Sequence, residues 1–369
     1  MIQNICDKGR KLIHGGDIYS IYEKYPKEVD RLVDFSANIS PFGIPDAVLE
    51  AVKDELAGAV HYPDPKGRRL KDAISSFLEQ VYGVRLPRAC IVCGNGAADV
   101  IYRFALAKKP KTALLCAPTF GEYEEALALS ETKLSFYQCP KESLEIGADI
   151  LDAVHPGLDV MFLCNPNNPT GLLADEGILK KIVEKARENH VLLVMDECFL
   201  DFVEYEEKRS VIPLLSQNKH ILVLKSFTKM YGMAGLRLGY GLSGDEALIG
   251  AMEKCGQPWA VSTAAESAGV AALKDVQYPK RVRQCVAFER KFLMDAFLKL
   301  GIHFFDSRAN YILIKLPGVP HFYERMLAEG ILVRRCENYR NLDSSYYRVA
   351  VNSHEKNERL VAALRKVVT

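Results

Sequence analysis

Ile221-Leu222-Val223-Leu224-Lys225-Ser226-Phe227-Thr228-Lys229 runs from four apolar residues straight into two hydroxyls and a second lysine. A short apolar run bounded by polar residues reads as a buried strand. Such a strand delivers Ser226, Thr228 and Lys229 to a loop at its carboxyl end, and Gly235-Leu236-Arg237-Leu238-Gly239 follows closely. The carboxyl edge is where open α/β sheets bind ligands. Two hydroxyls, a guanidinium and a nearby helix start are what a phosphate dianion needs. The Ser-x-x-Lys spacing alone also fits a serine nucleophile with a lysine base, or a solvated turn.

Working outward, the chain between residues 67 and 242 alternates between helical and strand periods. Leu70, Ile74, Phe77, Leu78 and Val81 fall on one helical face. Apolar strands are expected at Ala89–Cys93, Thr112–Cys116, Val160–Cys164, Val191–Met195 and Ile221–Leu224. Helices are expected at Ala97–Ala107, Phe120–Leu129 and Asp175–Asn189. Near-continuous apolar strands separated by amphipathic helices predict an α/β domain, its mainly parallel sheet covered by helices on both faces.

After Trp259 the pattern changes. Helices (Ala264–Leu273, Arg281–Leu300) lead to a strand, Tyr311–Leu316, then to a helix and two strands, Ile331–Arg334 and Tyr346–Val351. A closing helix, Glu355–Val368, follows. This predicts a smaller α+β domain over 261–369, a large domain over 36–260, and an N-terminal arm, 1–35, packing near the small domain.

Composition excludes several classes. With 369 residues, 49% hydrophobic and 26% charged, the chain is globular and large enough for about two domains. A net charge of +1 gives no global field toward nucleic acid or anionic lipid. No apolar run is long enough to span a bilayer, the first residues have no signal-peptide core, and no metal site is expected. Ten cysteines without framework spacing fit free thiols in a reducing cytoplasm. Cys90-Ile91-Val92-Cys93 has redox spacing, but on a strand residues three apart face opposite sides, roughly 10 Å apart, too far for a disulfide.

Three more motifs follow other strands. Asp196-Glu197-Cys198-Phe199 puts a carboxylate at a strand end, where a buried one must be paired; a helix cap or a Mg²⁺ ligand fits equally. Gly94-Asn95-Gly96-Ala97-Ala98 lets backbone N–H groups approach an anion at a helix start, though glycine there also serves turn geometry alone. Asn165-Pro166-Asn167-Asn168-Pro169-Thr170-Gly171 makes a rigid turn that can hold Asn165 toward the sheet edge; the amides are more than a plain turn needs.

Together, and in this order, the motifs resemble the fold-type I pyridoxal-phosphate (PLP) enzymes of the class I/II aminotransferase group, over essentially the whole chain. The resemblance implies Schiff-base attachment at Lys229, Asp196 against the pyridine nitrogen, and Asn165 on the 3′-oxygen. It implies a phosphate held by Ser226, Thr228, Arg237 and the amides of Gly96, Ala97 and Ala98, with Phe120 stacked on the ring. Tyr62, in Tyr62-Pro63-Asp64, would reach the phosphate of a neighbouring subunit, so a homodimer with a shared site is implied.

Within the group the chain looks more like the threonine-phosphate decarboxylase branch than the histidinol-phosphate aminotransferase branch. The likeness rests on His14-Gly15-Gly16, Asp34-Phe35-Ser36-Ala37-Asn38-Ile39 and Asp196-Glu197-x-Phe199-x-Asp201-Phe202. It continues in Ile331-Leu332-Val333-Arg334-Arg335 and Tyr346-Tyr347-Arg348-Val349-Ala350. It implies decarboxylation of L-threonine O-3-phosphate to (R)-1-aminopropan-2-ol O-2-phosphate in cobalamin side-arm synthesis, with phosphoserine as a possible second substrate. His14, Gly15, Asn38, Asn165, Arg334 and Arg348 would bind the substrate. The chain departs from the pattern at Ser40, where asparagine is usual, at Ala97-Ala98-Asp99, and at Phe199, where many aminotransferases have tyrosine. A phenyl ring donates no hydrogen bond, which disfavours the aminotransferase. A transcription regulator on this fold would need an added DNA-binding domain, and the sheet pattern begins too early for one.

Overall fold

In the computed structural model, which describes residues 15–24 and 32–368, the expected runs become a seven-stranded sheet. Its strands are β1 (Ile91–Gly94), β2 (Thr112–Ala117), β3 (Lys133–Gln138), β4 (Val160–Cys164), β5 (Leu192–Asp196), β6 (Ile221–Ser226) and β7 (Gly239–Leu242). They lie in the order β1-β7-β6-β5-β4-β2-β3. Only β7 runs against its neighbours. Every residue of β4, β5 and β6 is buried, as a sheet with both faces covered requires.

Two strands escape the sequence reading for physical reasons. Edge strand β3 alternates partly buried and exposed positions and carries Lys133, Ser135 and Gln138, so it lacks the continuous apolar run of the central strands. β7 is Gly-Tyr-Gly-Leu. A Cβ at Gly241 would stand 2.9 Å from Val100 and 3.1 Å from Val92, so close packing removes the side chains that signal a strand.

The C-terminal part builds a four-stranded antiparallel sheet from Tyr311–Lys315, Tyr346–Ala350 and two two-residue strands, His303–Phe304 and Arg334–Arg335. The helices Gln277–Lys299, Phe322–Ala328 and His354–Val368 accompany it. Val33–Asp34 pairs in parallel with Ile331–Leu332, tying the segment before Ser36 to this part. Helix Thr263–Lys274, expected with the smaller domain, packs instead on helices Asp46–Glu55 and Arg68–Tyr82; Ser267 Oγ donates to the Ala51 carbonyl at 2.9 Å. Cys90 and Cys93 are both free thiols.

The central sheet buries a lysine. Lys225, 2% exposed, forms an ion pair with Asp201 just beyond β5. Glu197 and Glu206 are buried nearby, and Arg283 of the long helix lies 2.7 Å from Glu206. Deleting one member of a buried pair leaves its partner uncompensated. Lys225→Met is therefore expected to lower the unfolding free energy by about 3–5 kcal/mol, read as the shift of the urea midpoint at constant m-value.

Candidate active site

Turns leave the carboxyl ends of β1, β2, β4, β5 and β6 on one side of the sheet, and a cavity of about 450 Å³ lies over them. β6 ends at Ser226, and one helical turn, Phe227–Met230, carries Lys229 into the cavity. Ser226 Oγ caps this turn by accepting Thr228 N–H at 3.2 Å, and the two hydroxyl oxygens are 2.7 Å apart. The Lys229 carbonyl accepts the Ser40 N–H at 2.9 Å, fixing the turn to the segment that carries Asn38. Burial, then the charge of Arg348 and that of Arg237, lowers the Lys229 pKa to about 8. The side chain is thus an amine close to neutrality, with Nζ 5.9 Å from the centroid of Phe199.

Asp196 ends β5 and is 4% exposed. Its Oδ1 accepts Cys198 N–H at 2.9 Å, and its Oδ2 accepts the hydroxyl of Tyr123. Burial and then the neighbouring Asp196 carboxylate push the Tyr123 pKa well up, so the phenol stays a donor. Phe120 stands edge-on to Tyr123, ring centroids 5.5 Å apart. The turn after β2 thereby supplies an aromatic wall and, through Tyr123, holds the carboxylate after β5.

The asparagine turn corrects one expectation. Asn165 does not line this cavity. Its Oδ1 accepts Ala174 N–H at 2.9 Å, and its side chain borders a separate cavity between helix Glu176–Glu188 and residues 207–218. Asn168 lines the site instead, and its Oδ1 accepts from Arg348 Nη1 at 2.5 Å. A strand end sends alternate side chains to opposite faces, and the sequence has no marker for where that alternation breaks inside a turn with two prolines.

At the glycine loop Ala97 and Ala98 open helix Ala97–Lys108 and line the cavity. First-turn N–H groups lack carbonyl partners within their own helix and can serve an anion. The Gly96 N–H is used otherwise: it donates to the Gly94 carbonyl at 2.8 Å. Gly96 contributes shape. It sits at φ 86°, and a Cβ there would stand 2.7 Å from Arg237 Nη2, so glycine lets that guanidinium lie against the loop.

The far end of the cavity is lined by two arginines. Arg348, 5% exposed, donates through Nη2 to the Ser36 carbonyl at 3.0 Å. With its amide turned to present the oxygen, Asn38 accepts from Nε and Nη1 of Arg348 at 3.2 Å. The Arg348 Cζ lies 5.2 Å from the centroid of Tyr311. Arg334, also 5% exposed, donates to Asn338 Oδ1 at 3.0 Å and to the Arg335 carbonyl. Gly15 lines the same end. His14 lies outside the described residues. Tyr62 is 79% exposed, outside the cavity, and stacked on Trp259 with centroids 4.5 Å apart.

Sequence reasoning missed Asn168, Tyr123, Ser36 and Tyr339. Tyr123 could have been found, since it follows Phe120 by three residues and begins an apolar helical face with Ala126 and Leu127. The cavity gathers Lys229, Arg237, Arg334 and Arg348 against Asp34 and Asp196. That excess of cations suits a ligand set with several anionic groups, beside one buried amine of lowered basicity.

The model of the family "Aminotransferase class I and II" matches residues 30–364. A threonine-phosphate decarboxylase of Salmonella typhimurium is 37% identical over 359 residues, 96% of each chain. A histidinol-phosphate aminotransferase of Methanococcoides burtonii is 30% identical over 97% of this chain and 96% of its own. The crystal structure of the histidinol-phosphate aminotransferase from Clostridium acetobutylicum superposes with a TM-score of 0.84 at 27% identity, covering 91% of this chain and 99% of that one.

Lys229 should cost the ligand-free fold stability. Its pKa falls from the ordinary 10.5 to about 8 on folding, so between those values the unfolded chain binds more protons. Stability then rises with pH across that window, and below it the penalty is fully present. Lys229→Met is expected to melt above the wild type at pH 7 when both are ligand-free. The gap should narrow by pH 10 in paired thermal scans.

Proposed function

The chain belongs to the class I and II aminotransferase family, and from that membership we propose that it decarboxylates L-threonine O-3-phosphate. PLP is the cofactor of this family and of this chain. The observation that carries the substrate is the likeness, over 96% of both chains, to a threonine-phosphate decarboxylase. Phe199 supports the same reading, because a phenyl ring beside Lys229 donates no hydrogen bond to a phenolic oxygen.

The residues fit the cofactor by their chemistry. Lys229 would carry it covalently through an ε-amine whose pKa of about 8 leaves a usable fraction deprotonated near neutrality. Asp196, buried and held by Tyr123 and Cys198 N–H, would face the pyridine nitrogen. Phe120 would stack on the ring and Asn168, in place of Asn165, would meet the 3′-oxygen. Ser226, Thr228, Arg237 and the N–H groups of Ala97 and Ala98 would hold the phosphate. When bound, PLP accepts the electron pair left by a bond broken at the substrate α-carbon.

The chain's own residues decide which bond that is. Arg334 and Arg348 would take the substrate's two anionic groups, and each is braced so that its fork has one orientation: Arg348 by Asn168, Asn38 and the Ser36 carbonyl, Arg334 by Asn338. Bracing turns two anion contacts into a fixed rotation of the α-carbon. Decarboxylation needs the carboxylate bond perpendicular to the ring plane. Asp196, kept in its orientation by Tyr123, preserves the charge that favours electron uptake. After CO₂ departs, Lys229 Nζ would return a proton to the α-carbon.

We extend the reading in two ways. The product, (R)-1-aminopropan-2-ol O-2-phosphate, would serve cobalamin side-arm synthesis, a placement resting on the substrate alone. The working unit would be a homodimer, with Tyr62 reaching the partner's phosphate site. Phe42, Leu56, Val60, Tyr62 and Trp259 are all large, apolar and exposed in the single chain, as a surface covered by a second copy would be.

Purified enzyme should release CO₂ from L-threonine O-3-phosphate with no 2-oxoacid added. Turnover that needs an oxoacid, with glutamate formed from 2-oxoglutarate, would identify an aminotransferase instead. Lys229→Ala should lose the visible absorbance of the bound cofactor, with kcat reduced by at least about 10²–10⁴-fold, the range expected for a lost general acid or base. For the dimer, Tyr62→Ala and Lys229→Ala chains refolded together should recover activity that neither has alone, because one of the two mixed sites is then intact.

A further inference from the structure

The glycine loop contains an acid that works against phosphate binding. Asp99 sits in the first turn of helix Ala97–Lys108, and its Oδ2 accepts Asn95 N–H at 2.9 Å. It fits tightly: a Cβ at Gly94 would stand 2.6 Å from that oxygen. The bond shapes the turn that presents the Ala97 and Ala98 N–H groups. The same carboxylate puts a negative charge one to two residues from those groups, where a phosphate dianion would be held, and like charges repel.

Arg103 lies one helical turn further on. Its Nε donates to Asp99 Oδ1 at 3.1 Å. Its Nη2 is 2.9 Å from Oδ2, but directed so that it makes no hydrogen bond. Arg103 is 5% exposed. The guanidinium lies against the backbone of Gly256, where a Cβ would stand 2.1 Å from Cζ. It borders a second cleft with Lys71 and Trp259, not the cavity that holds Lys229. For a pair this far from solvent the desolvation of the guanidinium can outweigh the attraction, and Nη2 is left unsatisfied as well, so local pairing alone is a poor reason to bury it. Compensation of charge beside the anion site does explain it.

We propose that Arg103 is a positioning residue of the phosphate cradle, cancelling the charge of Asp99 so that this carboxylate can shape the loop without repelling the cofactor phosphate. The inference rests on the cradle assignment of Ala97, Ala98 and Arg237 made above. It predicts an effect specific to the phosphate, which a general packing role would not give.

The test compares dissociation constants of PLP and of pyridoxal, which lacks the phosphate, measured by absorbance titration of the full-length protein stripped of cofactor. Arg103→Met should reduce the preference for PLP over pyridoxal by about tenfold, with pyridoxal affinity little changed. Arg103→Met/Asp99→Asn should recover most of that preference. Should Arg103→Met fail to fold, Asp99→Asn alone keeps the matter open to test: with Arg103 left uncancelled, the preference for PLP should rise. An equal loss for both ligands in Arg103→Met, no recovery in the double variant, or no rise in Asp99→Asn would overturn the proposal. Arg237→Ala separates this inference from the cradle reading. If that variant loses no PLP preference, the cradle assignment fails and this inference with it; if Arg237→Ala loses it and Arg103→Met does not, only the role of Arg103 falls.

Discussion

The site depends on parallel strands held in one register. Cys164 pairs with Asp196, and Asp196 with Leu224, in the in-register ladder of β4, β5 and β6. The bonds continue one residue past the ladder, where Asn165 N–H donates to the Asp196 carbonyl and Glu197 N–H to the Leu224 carbonyl. Three turns therefore leave the sheet side by side across two strand spacings, roughly 10 Å. That is the span of a substituted pyridine ring with its attachments. Backbone hydrogen bonds thereby bring the turns that carry Asn168, Asp196 and Lys229, residues far apart in the chain, to one cavity.

Because strand ends are legible, so was much of this edge. Ser226, Thr228, Lys229 and Asp196 were placed by the point at which an apolar run meets polar residues. Turns are less legible than strands. Asn165 and Asn168 differ only in position within one rigid loop, and the structure shows that the second faces the cavity. The Gly96 amide was expected to meet an anion, yet it closes a bond within its own turn. β3 and β7 were invisible for opposite reasons, one being half-solvated at the edge and the other packed too closely to keep side chains. The bracing of Arg348 by Asn168, Asn38 and the Ser36 carbonyl joins three distant segments, a relation that no local pattern records.

Lys225 and Lys229 show how placement sets chemistry. Both come from the end of β6, and burial disfavours the charge on each. At Lys225 the adjacent Asp201, helped by Tyr82 and Tyr240, more than offsets burial, so its pKa lies well above the ordinary value. At Lys229 burial is joined by the cation Arg348, and Arg237 adds to it, while Cys198 and Asp196 only partly oppose them, so the pKa falls to about 8. The strand pleat sends Lys225 toward a carboxylate, and the helical turn after Ser226 sends Lys229 toward arginines. The first lysine is a fixed charge in the core; the second is an amine able to exchange protons near neutrality.

The sheet edge does not by itself select among reactions at an α-carbon. Lys229, Asp196 and the proposed phosphate cradle would serve equally whether a proton or a carboxylate leaves, because bound PLP would supply the same electron sink for either bond. In the proposed reaction, selection would come from the other end of the cavity, which would orient the substrate about the bond joining its nitrogen to the α-carbon. There the two arginines are braced on different elements, Arg348 on the strand Tyr346–Ala350 and Arg334 on the short strand Arg334–Arg335 paired to it. Arg334 and Arg348 are direct partners in that antiparallel register, so the spacing between the two forks is held by the sheet. A ligand with two anionic groups can then satisfy both forks in few rotations. On the proposed substrate, the side-chain phosphate would contribute orientation as well as affinity, as the second anchor that decides which bond at the α-carbon is broken.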